Sequence, residues 1–125
     1  MRLFPRSRLV GRRFPIVHVY FDKKDFVEIS TFRGPEEKDE GPFENFGTPE
    51  EDAKRRDLTI NALFYDPFRD EILDYVQGLE DLKRGIIRII GEPNRRYRQD
   101  PVRMLRVIRH AARTGFEIEE KTWQS

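Results

Sequence analysis

The chain has 125 residues, of which 37% are hydrophobic and 38% charged, and its formal net charge is +1 at pH 7. This length suffices for one modest hydrophobic core or two incomplete ones. Cysteine is absent, which excludes disulfides and thiolate metal sites. The sequence has no apolar run of membrane-spanning length and no secretion signal at its start, so we expect a cytoplasmic protein without a membrane partner.

The small net charge conceals a strong asymmetry along the chain. Residues 34–52 contain eight acidic residues and one lysine, whereas residues 83–113 contain ten Lys or Arg residues and two acids. A basic block of this density indicates a polyanionic partner, of which nucleic acid is the usual one. A solvated basic face balanced by the acidic segment is the alternative.

Two strands are predicted near the N-terminus. Residues 14–21, FPIVHVYF, are rich in β-branched and aromatic residues, and residues 25–32, DFVEISTF, alternate as the returning strand. Glu28 shares a face of the second strand with aromatic neighbours. It is either an edge-strand carboxylate that reaches water or a functional acid. Residues 34–47 have no periodicity and several turn formers, which predicts a mobile acidic loop.

A helix start follows this loop. Thr48 is an N-cap residue, Pro49 suits the first helical position, and Glu51 stands where a capping box requires an acid. The helix is predicted to end at about Arg56. Residues 62–65 and 71–75 flank a turn and predict a hairpin.

The C-terminal third is predicted to be helical. A short helix over residues 79–84 precedes an apolar run, and GEPN at residues 91–94 marks the predicted boundary between domains at 1–91 and 92–125. Asp100 can cap a second helix that Gly115 ends. The periodicity of that helix predicts a buried stripe of Met104, Leu105, Ile108, Ala111 and Ala112. Another face aligns Arg103, Arg106, Arg109 and Arg113.

The segment RRDLTIN, residues 55–61, carries the candidate chemistry. Adjacent arginines on a helix point about 100° apart, so one can brace the fold while the other offers its planar fork to a phosphate. Asp57 can orient one of those guanidinium groups or accept a hydrogen bond from a sugar hydroxyl. Asn61 supplies a donor and an acceptor one turn on, if the helical phase continues. A surface Arg–Asp pair with a capping asparagine is the alternative.

Four blocks in fixed order resemble one family. They are GRRFPIVHVYF, VEISTFRG, RRDLTINALFYD, and the run from DYVQGLEDLKRG to RQDPVRMLRVIRHAARTGF. Together, from about Leu9 to Phe116, they resemble the class II nucleotidyltransferases, which comprise the bacterial poly(A) polymerases and the tRNA CCA-adding enzymes. The resemblance implies an α+β fold: a head with a small β-sheet and helices, then the start of an all-helical neck. Residues 66–85 resemble the family's hinge between head and neck.

The resemblance also implies roles for single residues. The nucleotide-holding motif RRDxxxN falls on Arg55, Arg56, Asp57 and Asn61, and Asp57 matches a carboxylate of the poly(A) polymerase active site. Glu28 matches the strand position of a third catalytic acid. The base-reading motif EDxxR becomes residues 99–103, where a glutamine replaces the glutamate. The RNA-binding set implied by the basic block is Arg95, Arg96, Arg98, Arg106, Arg109 and Arg113.

Within that motif, Asp100 and Arg103 can still address a Watson–Crick edge, one accepting and one donating. The alternative is structural: Asp100 is a suitable N-cap residue, and Arg103 is a suitable salt-bridge partner in the first helical turn. Gln99 keeps the length of glutamate without its charge, so the resemblance is incomplete at this position.

A larger departure concerns the metal. The family binds two Mg²⁺ ions with an Asp-x-Asp that follows a glycine-rich turn, and this sequence contains no such pair. We therefore expect the later part of a head and the first part of a neck, without the metal cradle. The function implied is addition of AMP from ATP to RNA 3′ ends. The alternatives are tRNA CCA addition and a non-catalytic RNA-binding fragment.

Overall fold

A computed structural model describes residues 3–11, 16–35 and 45–125 and divides the chain into two compact units, Met1–Glu51 and Asp52–Ser125. Within those described ranges, no helix combines the length and the apolar character that crossing a membrane requires. The first unit contains an antiparallel sheet of three strands, in the order β1 (Ser7–Val10), β2 (Ile16–Tyr20) and β3 (Phe26–Ile29). The two predicted strands are thus confirmed as β2 and β3, residues 14 and 15 of the first prediction lie outside the described part, and β1 is an addition.

The acidic segment and the helix after it follow. Residues 36–44 lie outside the described part, so the predicted mobile loop stays a prediction there. Helix α1 (Pro49–Arg55) begins with the predicted capping box: the Thr48 N–H donates to Glu51 Oε2 at 2.8 Å, and the Glu51 N–H donates to Thr48 Oγ1 at 3.2 Å. These two bonds satisfy backbone donors that the first helical turn leaves without an intrahelical partner.

The second unit contains a hairpin and four helices. The predicted hairpin is confirmed as β4 and β5, which pair antiparallel. The elements in chain order are the 3-10 turn Thr59–Asn61, β4 (Leu63–Asp66), β5 (Glu71–Asp74), α2 (Gly78–Arg84), β6 (Ile86–Ile87), α3 (Pro93–Gln99), α4 (Val102–Thr114), β7 (Glu117–Ile118) and α5 (Glu120–Gln124). The core contains the buried side chains of Leu58, Ile87, Ile89, Tyr97 and Val107.

Asp74 organises the turn between β5 and α2. Its carboxylate accepts backbone N–H groups of Val76 at 3.1 Å, Gly78 at 2.9 Å and Leu79 at 2.9 Å. Desolvation raises the pKa of Asp74, but these hydrogen bonds outweigh it and the pKa lies below its ordinary 3.8. At the other end of α2, Gly85 adopts a left-handed conformation with φ of 68° and ends the helix as predicted.

Helix α4 buries a different face from the one its apolar periodicity predicts. Four of the five residues in the predicted buried stripe are exposed, with Met104 at 42%, Leu105 at 68% and Ile108 at 50%. The buried residues are instead Arg103 at 8% and Val107 at 3%. Val107 packs in the core described above, and Arg103 is held by polar partners elsewhere in the chain. The predicted stripe was therefore wrong, because it counted only apolar residues.

The chain divides into its two compact units between Glu51 and Asp52, and residues on both sides of position 91 belong to the second unit. The division at 91/92 between a head and a neck refers to domains of the family, and it stays a prediction. The helical start predicted for residues 92–125 is present as α3, α4 and α5.

Candidate nucleotide-binding site

The backbone after α1 leaves the helix and becomes anchored to the strand region. Leu58 forms an antiparallel bridge with Ile89, and the Ile90 N–H donates to the Asp57 carbonyl at 2.9 Å. The predicted helical phase therefore does not continue to Asn61, which lies instead in the 3-10 turn. Because its backbone is fixed on both sides, Asp57 has a defined direction for its side chain.

The Asp57 carboxylate lies between two arginines of α4. Arg103 Nε donates to Oδ1 at 2.9 Å, and Arg106 Nη1 donates to Oδ2 at 2.5 Å. These pairs span 46 and 49 residues. We expected Asp57 to orient one of the adjacent arginines, but it orients the arginine of the base-reading motif and the next arginine on the same helix face. The two arginines at positions 103 and 106 thus bring the RRDxxxN and QDxxR segments together.

Arg103 has three further features that fix it. Its side chain is 10% exposed, and its Nη1 donates to the carbonyl of Arg96 at 3.0 Å and to Gln99 Oε1 at 3.4 Å. Gln99 therefore still contacts the arginine although it lacks the charge of glutamate. The spacing of the α4 arginines predicted that Arg103 belongs to an exposed basic face, and this prediction was wrong. Arg103 is a buried, preorganised donor group.

Arg56 is the arginine that braces the fold. Its Nε donates to the buried Asp52 carboxylate at 3.0 Å, and its Nη1 donates to the Asn61 carbonyl at 2.9 Å. The guanidinium also lies over the Phe64 ring, 4.9 Å from its centre, which is a cation–π distance. Arg55, its neighbour, is half-buried. This division matches the expectation that one arginine of the pair is structural.

Arg96 requires a correction. It was predicted to bind RNA, but it is 7% exposed, and its Nη2 donates to the carbonyls of Arg55 at 2.8 Å and Arg56 at 2.9 Å. Those carbonyls lie at the C-terminal end of α1, where backbone acceptors lack intrahelical partners and a cation is favoured. Arg96 therefore caps α1, and burial withdraws it from the predicted RNA-contacting set.

Asn61 faces a residue that the sequence argument missed. Its Nδ2 lies 3.4 Å from Nε2 of His110 on α4. Burial lowers the pKa of His110 below its ordinary 6.5, the positive charges of Arg109 and Arg113 lower it further, and Asp57 partly opposes them. The sequence feature that could have identified His110 is its spacing, since position 110 lies one helical turn beyond position 106 on α4.

The remaining predicted residues fall into two groups. Asp100 Oδ1 accepts the Val102 N–H at 3.1 Å, which confirms the capping contact at the start of α4. Four arginines of the predicted RNA-binding set are exposed at the surface of α3 and α4, namely Arg95, Arg98, Arg109 and Arg113. Arg106 is exposed as well, with its side chain 46% exposed, but it is bonded to Asp57.

Glu28 lies in the first unit, on β3. It is directly opposite His18 of β2, and Glu28 Oε1 lies 3.1 Å from His18 Nε2. The His18 ring stacks on Phe26 with ring centres 4.2 Å apart. The Glu28 side chain is 59% exposed, so the two interpretations of this acid remain open.

The residues present do not fit a magnesium site of the family kind. In residues 3–11, 16–35 and 45–125, no three or more His, Asp or Glu side chains are grouped to hold a metal ion. The Asp57 carboxylate has both oxygens bonded to guanidinium groups, and the sequence has no Asp-x-Asp. No chemical step of this chain is therefore assigned to a metal.

A buried polar network supports the 3-10 turn from the side of α2. Asp81, which is 2% exposed, accepts Thr59 Oγ1 at 2.7 Å and Arg88 Nε at 2.9 Å. Arg88 is also paired with Glu119. An open pocket beside this network is lined by Arg88, Glu119 and Lys121, whose charges are already paired within the chain. We therefore place the candidate site at Asp57 rather than at this pocket.

Comparison with known proteins identifies the family. The model of the poly A polymerase head domain matches residues 1–88, so the chain belongs to this family. Poly(A) polymerase I of Escherichia coli O6:H1 is 46% identical over 135 residues, which cover 97% of this chain and 29% of that protein. The matched relatives are nucleotidyltransferases, and they also include CCA-adding enzymes. The chain thus spans less than a third of the length of the relative from E. coli.

Solved structures confirm the α+β fold. The crystal structure of Bacillus stearothermophilus CCA-adding enzyme in complex with CTP is 35% identical with a TM-score of 0.83, covering 99% of this chain and 30% of that one. A tRNA nucleotidyltransferase complexed with a primer tRNA and an incoming ATP analog is 29% identical with a TM-score of 0.73, covering 94% of this chain and 33% of that one.

Proposed function

We propose that this chain is the nucleotide- and RNA-binding part of an enzyme that adds AMP from ATP to RNA 3′ ends. The observation that carries the proposal is the clamp formed by Asp57 with Arg103 and Arg106. It joins the two family motifs across 46 residues, beside the amide of Asn61. Such a rigid set of charged and amide groups, held by the fold before a ligand arrives, is what selective nucleotide binding requires.

Each group has a proposed task in this site. We assign the triphosphate to Arg55, which is half-buried, and to Arg106, which is exposed, since a guanidinium fork matches phosphate oxygens. Asp100 and Arg103 read the base edge, and Asn61 contacts the ribose. Asp57 holds the arginines of α4, and we assign it to the active site of the intact enzyme. Glu28, in the first unit, is proposed separately as the family's third catalytic acid.

The exposed arginines are proposed to bind the RNA backbone. Arg95, Arg98, Arg109 and Arg113 present positive charge on α3 and α4, and phosphate contacts give affinity that decreases with salt. Residues 92–125 would then be the start of the family's helical neck. Transfer itself needs the Mg²⁺ ligands that this chain does not supply, so we predict that the 125-residue chain binds ATP and RNA without transferring AMP. Its proposed compartment is the cytoplasm.

CCA addition is the second candidate, because the structural likeness to a CCA-adding enzyme in complex with CTP is high. The higher identity to a poly(A) polymerase favours ATP alone. The two functions differ in nucleotide selectivity, since a poly(A) enzyme uses ATP and a CCA-adding enzyme uses both CTP and ATP. Competition of CTP against bound ATP therefore separates them.

The test of nucleotide binding is a calorimetric titration of the chain with ATP and with CTP. Arg106→Met removes a proposed triphosphate contact, and Arg84→Met, on the exposed surface of α2, is the matched control. We expect ATP binding that weakens about tenfold in Arg106→Met, as expected when a charged hydrogen bond is lost, and not in Arg84→Met. Equal binding of CTP and ATP would replace the poly(A) assignment with CCA addition.

The test of RNA binding is a filter-binding titration with oligoadenylate at several salt concentrations. The double variant Arg109→Ala/Arg113→Ala is compared with Lys23→Ala/Lys24→Ala, which removes two exposed charges from the β2–β3 turn. If both arginines contact phosphates, the salt slope falls by roughly 0.7 per charge in the first variant only. Equal slopes in both variants would refute the assignment of this surface. AMP incorporation by the 125-residue chain would refute the prediction that it is inactive alone.

A further inference from the structure

His110 lies beside the proposed ribose contact and outside both family motifs. Its Nε2 is 3.4 Å from Nδ2 of Asn61, and it stands one helical turn beyond Arg106 on α4. Among the described residues, this hydrogen bond ties the Asn61 side chain to α4. The backbone of Asn61 is held separately, because its carbonyl accepts Arg56 Nη1 at 2.9 Å.

The two facing atoms are both nitrogens, which restricts the chemistry of the contact. The amide nitrogen of Asn61 is a donor only, so a hydrogen bond forms only if His110 Nε2 accepts. That requires a neutral imidazole with its proton on Nδ1. Burial and the charges of Arg109 and Arg113 keep the pKa of His110 below 6.5, against the opposing effect of Asp57, and so favour the neutral form at pH 7.

We propose that His110 is a positioning residue that fixes the Asn61 amide so that its carbonyl oxygen, Oδ1, faces the nucleotide as an acceptor. An acceptor cannot bind phosphate oxygens, but it can bind a ribose hydroxyl or the amino group of adenine. We assign it to a ribose hydroxyl, since Asp100 and Arg103 are already assigned to the base edge. This inference rests on the proposed function and specifies how that site distinguishes ribonucleotides from deoxyribonucleotides.

The experiment measures dissociation constants of ATP, 2′-deoxy-ATP, 3′-deoxy-ATP and ITP for the 125-residue chain at pH 7.5. His110→Phe removes the acceptor and keeps an aromatic ring, whereas His110→Gln keeps a side-chain carbonyl that can accept. We expect the wild type to bind one of the two deoxy forms about fivefold more weakly than ATP, a ratio typical of one lost hydrogen bond. His110→Phe should reduce that ratio to about one, and His110→Gln should restore most of it.

A double-mutant cycle tests whether His110 acts through Asn61. Asn61→Ala removes the acceptor directly, so it should abolish the same discrimination, and His110→Phe combined with Asn61→Ala should lose nothing further. Circular dichroism confirms that each variant is folded. A merely structural role of His110 would weaken ATP and the deoxy forms equally and leave their ratio unchanged.

The outcomes distinguish this inference from the proposed function. An unchanged ratio in a folded His110→Phe variant that still binds ATP would overturn the inference and leave the function standing. A change in the ATP-to-ITP ratio in these variants instead would refute the ribose assignment, since ITP differs from ATP only at the base edge, where an oxo group and an N1–H replace the amino group and the N1 acceptor. No ATP binding by the wild type would overturn the proposed function and the inference together.

Discussion

The clamp around Asp57 predicts that its two arginines contribute very unequally to stability. Arg103 and Arg106 bind opposite oxygens of the same carboxylate, but their side chains are 10% and 46% exposed. The Asp57 side chain is 20% exposed. The two contacts resemble each other in geometry. They differ in their contribution to folding, because water screens the Arg106 pair and not the Arg103 pair.

The magnitudes follow from burial. Breaking a fully buried ion pair by removing one partner costs about 3–5 kcal/mol, whereas exposed pairs are worth about 0–1 kcal/mol. Since Asp57 keeps a fifth of its exposure, we expect a coupling free energy between Asp57 and Arg103 of about 2 kcal/mol. For Asp57 and Arg106 we expect about 0.5 kcal/mol.

The assay is a pair of double-mutant cycles on the free energy of unfolding, measured by urea denaturation and circular dichroism. One cycle combines Asp57→Asn with Arg103→Met, and the other combines Asp57→Asn with Arg106→Met. Raising the salt concentration should diminish the Arg106 coupling and leave the Arg103 coupling nearly unchanged. Equal couplings, or a larger one for Arg106, would show that burial does not govern this site.

Three further predictions concern stability. Asp74→Ala removes the acceptor of three backbone N–H groups and should cost about 1–2 kcal/mol in urea denaturation at pH 7. The pKa of Asp74 in the folded protein lies below 3.8, so the difference in the free energy of unfolding between Asp74→Ala and the wild type should shrink as the pH falls through that lower value. A difference that stays constant with pH would contradict this. Gly78→Ala places a Cβ 2.3 Å from the Thr59 carbonyl oxygen and should cost about 2 kcal/mol. Gly115→Ala meets open space at φ of 73° and should cost about 1 kcal/mol, so a larger loss there than at Gly78 would refute the steric argument. Finally, the lowered pKa of His110 means that the unfolded chain binds a proton first, so stability should fall as the pH drops below 6.5. His110→Gln should remove that part of the decline in melting temperature between pH 8 and pH 5, and an identical decline would show that His110 does not cause it.

Local features were predictable wherever the signal lies within a few residues. The capping box of Thr48 and Glu51, the hairpin of β4 and β5, and the helix end at Gly85 were all predicted, because each depends on backbone hydrogen bonds or dihedral angles set by neighbouring residues. The family motifs were likewise recognisable as strings of residues. The roles of Arg55, Asn61 and Glu28 in nucleotide binding and catalysis remain predictions.

The orientation of α4 was not predictable from its own sequence. Apolar periodicity favoured a buried stripe of Met104, Leu105 and Ile108, which are exposed. Arg103 is buried because a carboxylate 46 residues earlier neutralises it, and Arg96 is buried because it caps the end of α1. Hydrophobic periodicity treats every arginine as a surface residue. The carboxylate or carbonyl that compensates for burying the charge is distant in the sequence, so a short segment does not reveal it.

The amino-acid sequence by itself determined most of the elements and the family of this protein, because caps, turns and motifs are encoded by residues close together in the chain. Only the tertiary structure decided which arginine braces, which caps and which clamps Asp57, and it placed His110 against Asn61. The physical reason is that a charged side chain takes its role from the partner it meets. Those partners lie 40 to 49 residues away for Arg96, Arg103, Arg106 and His110.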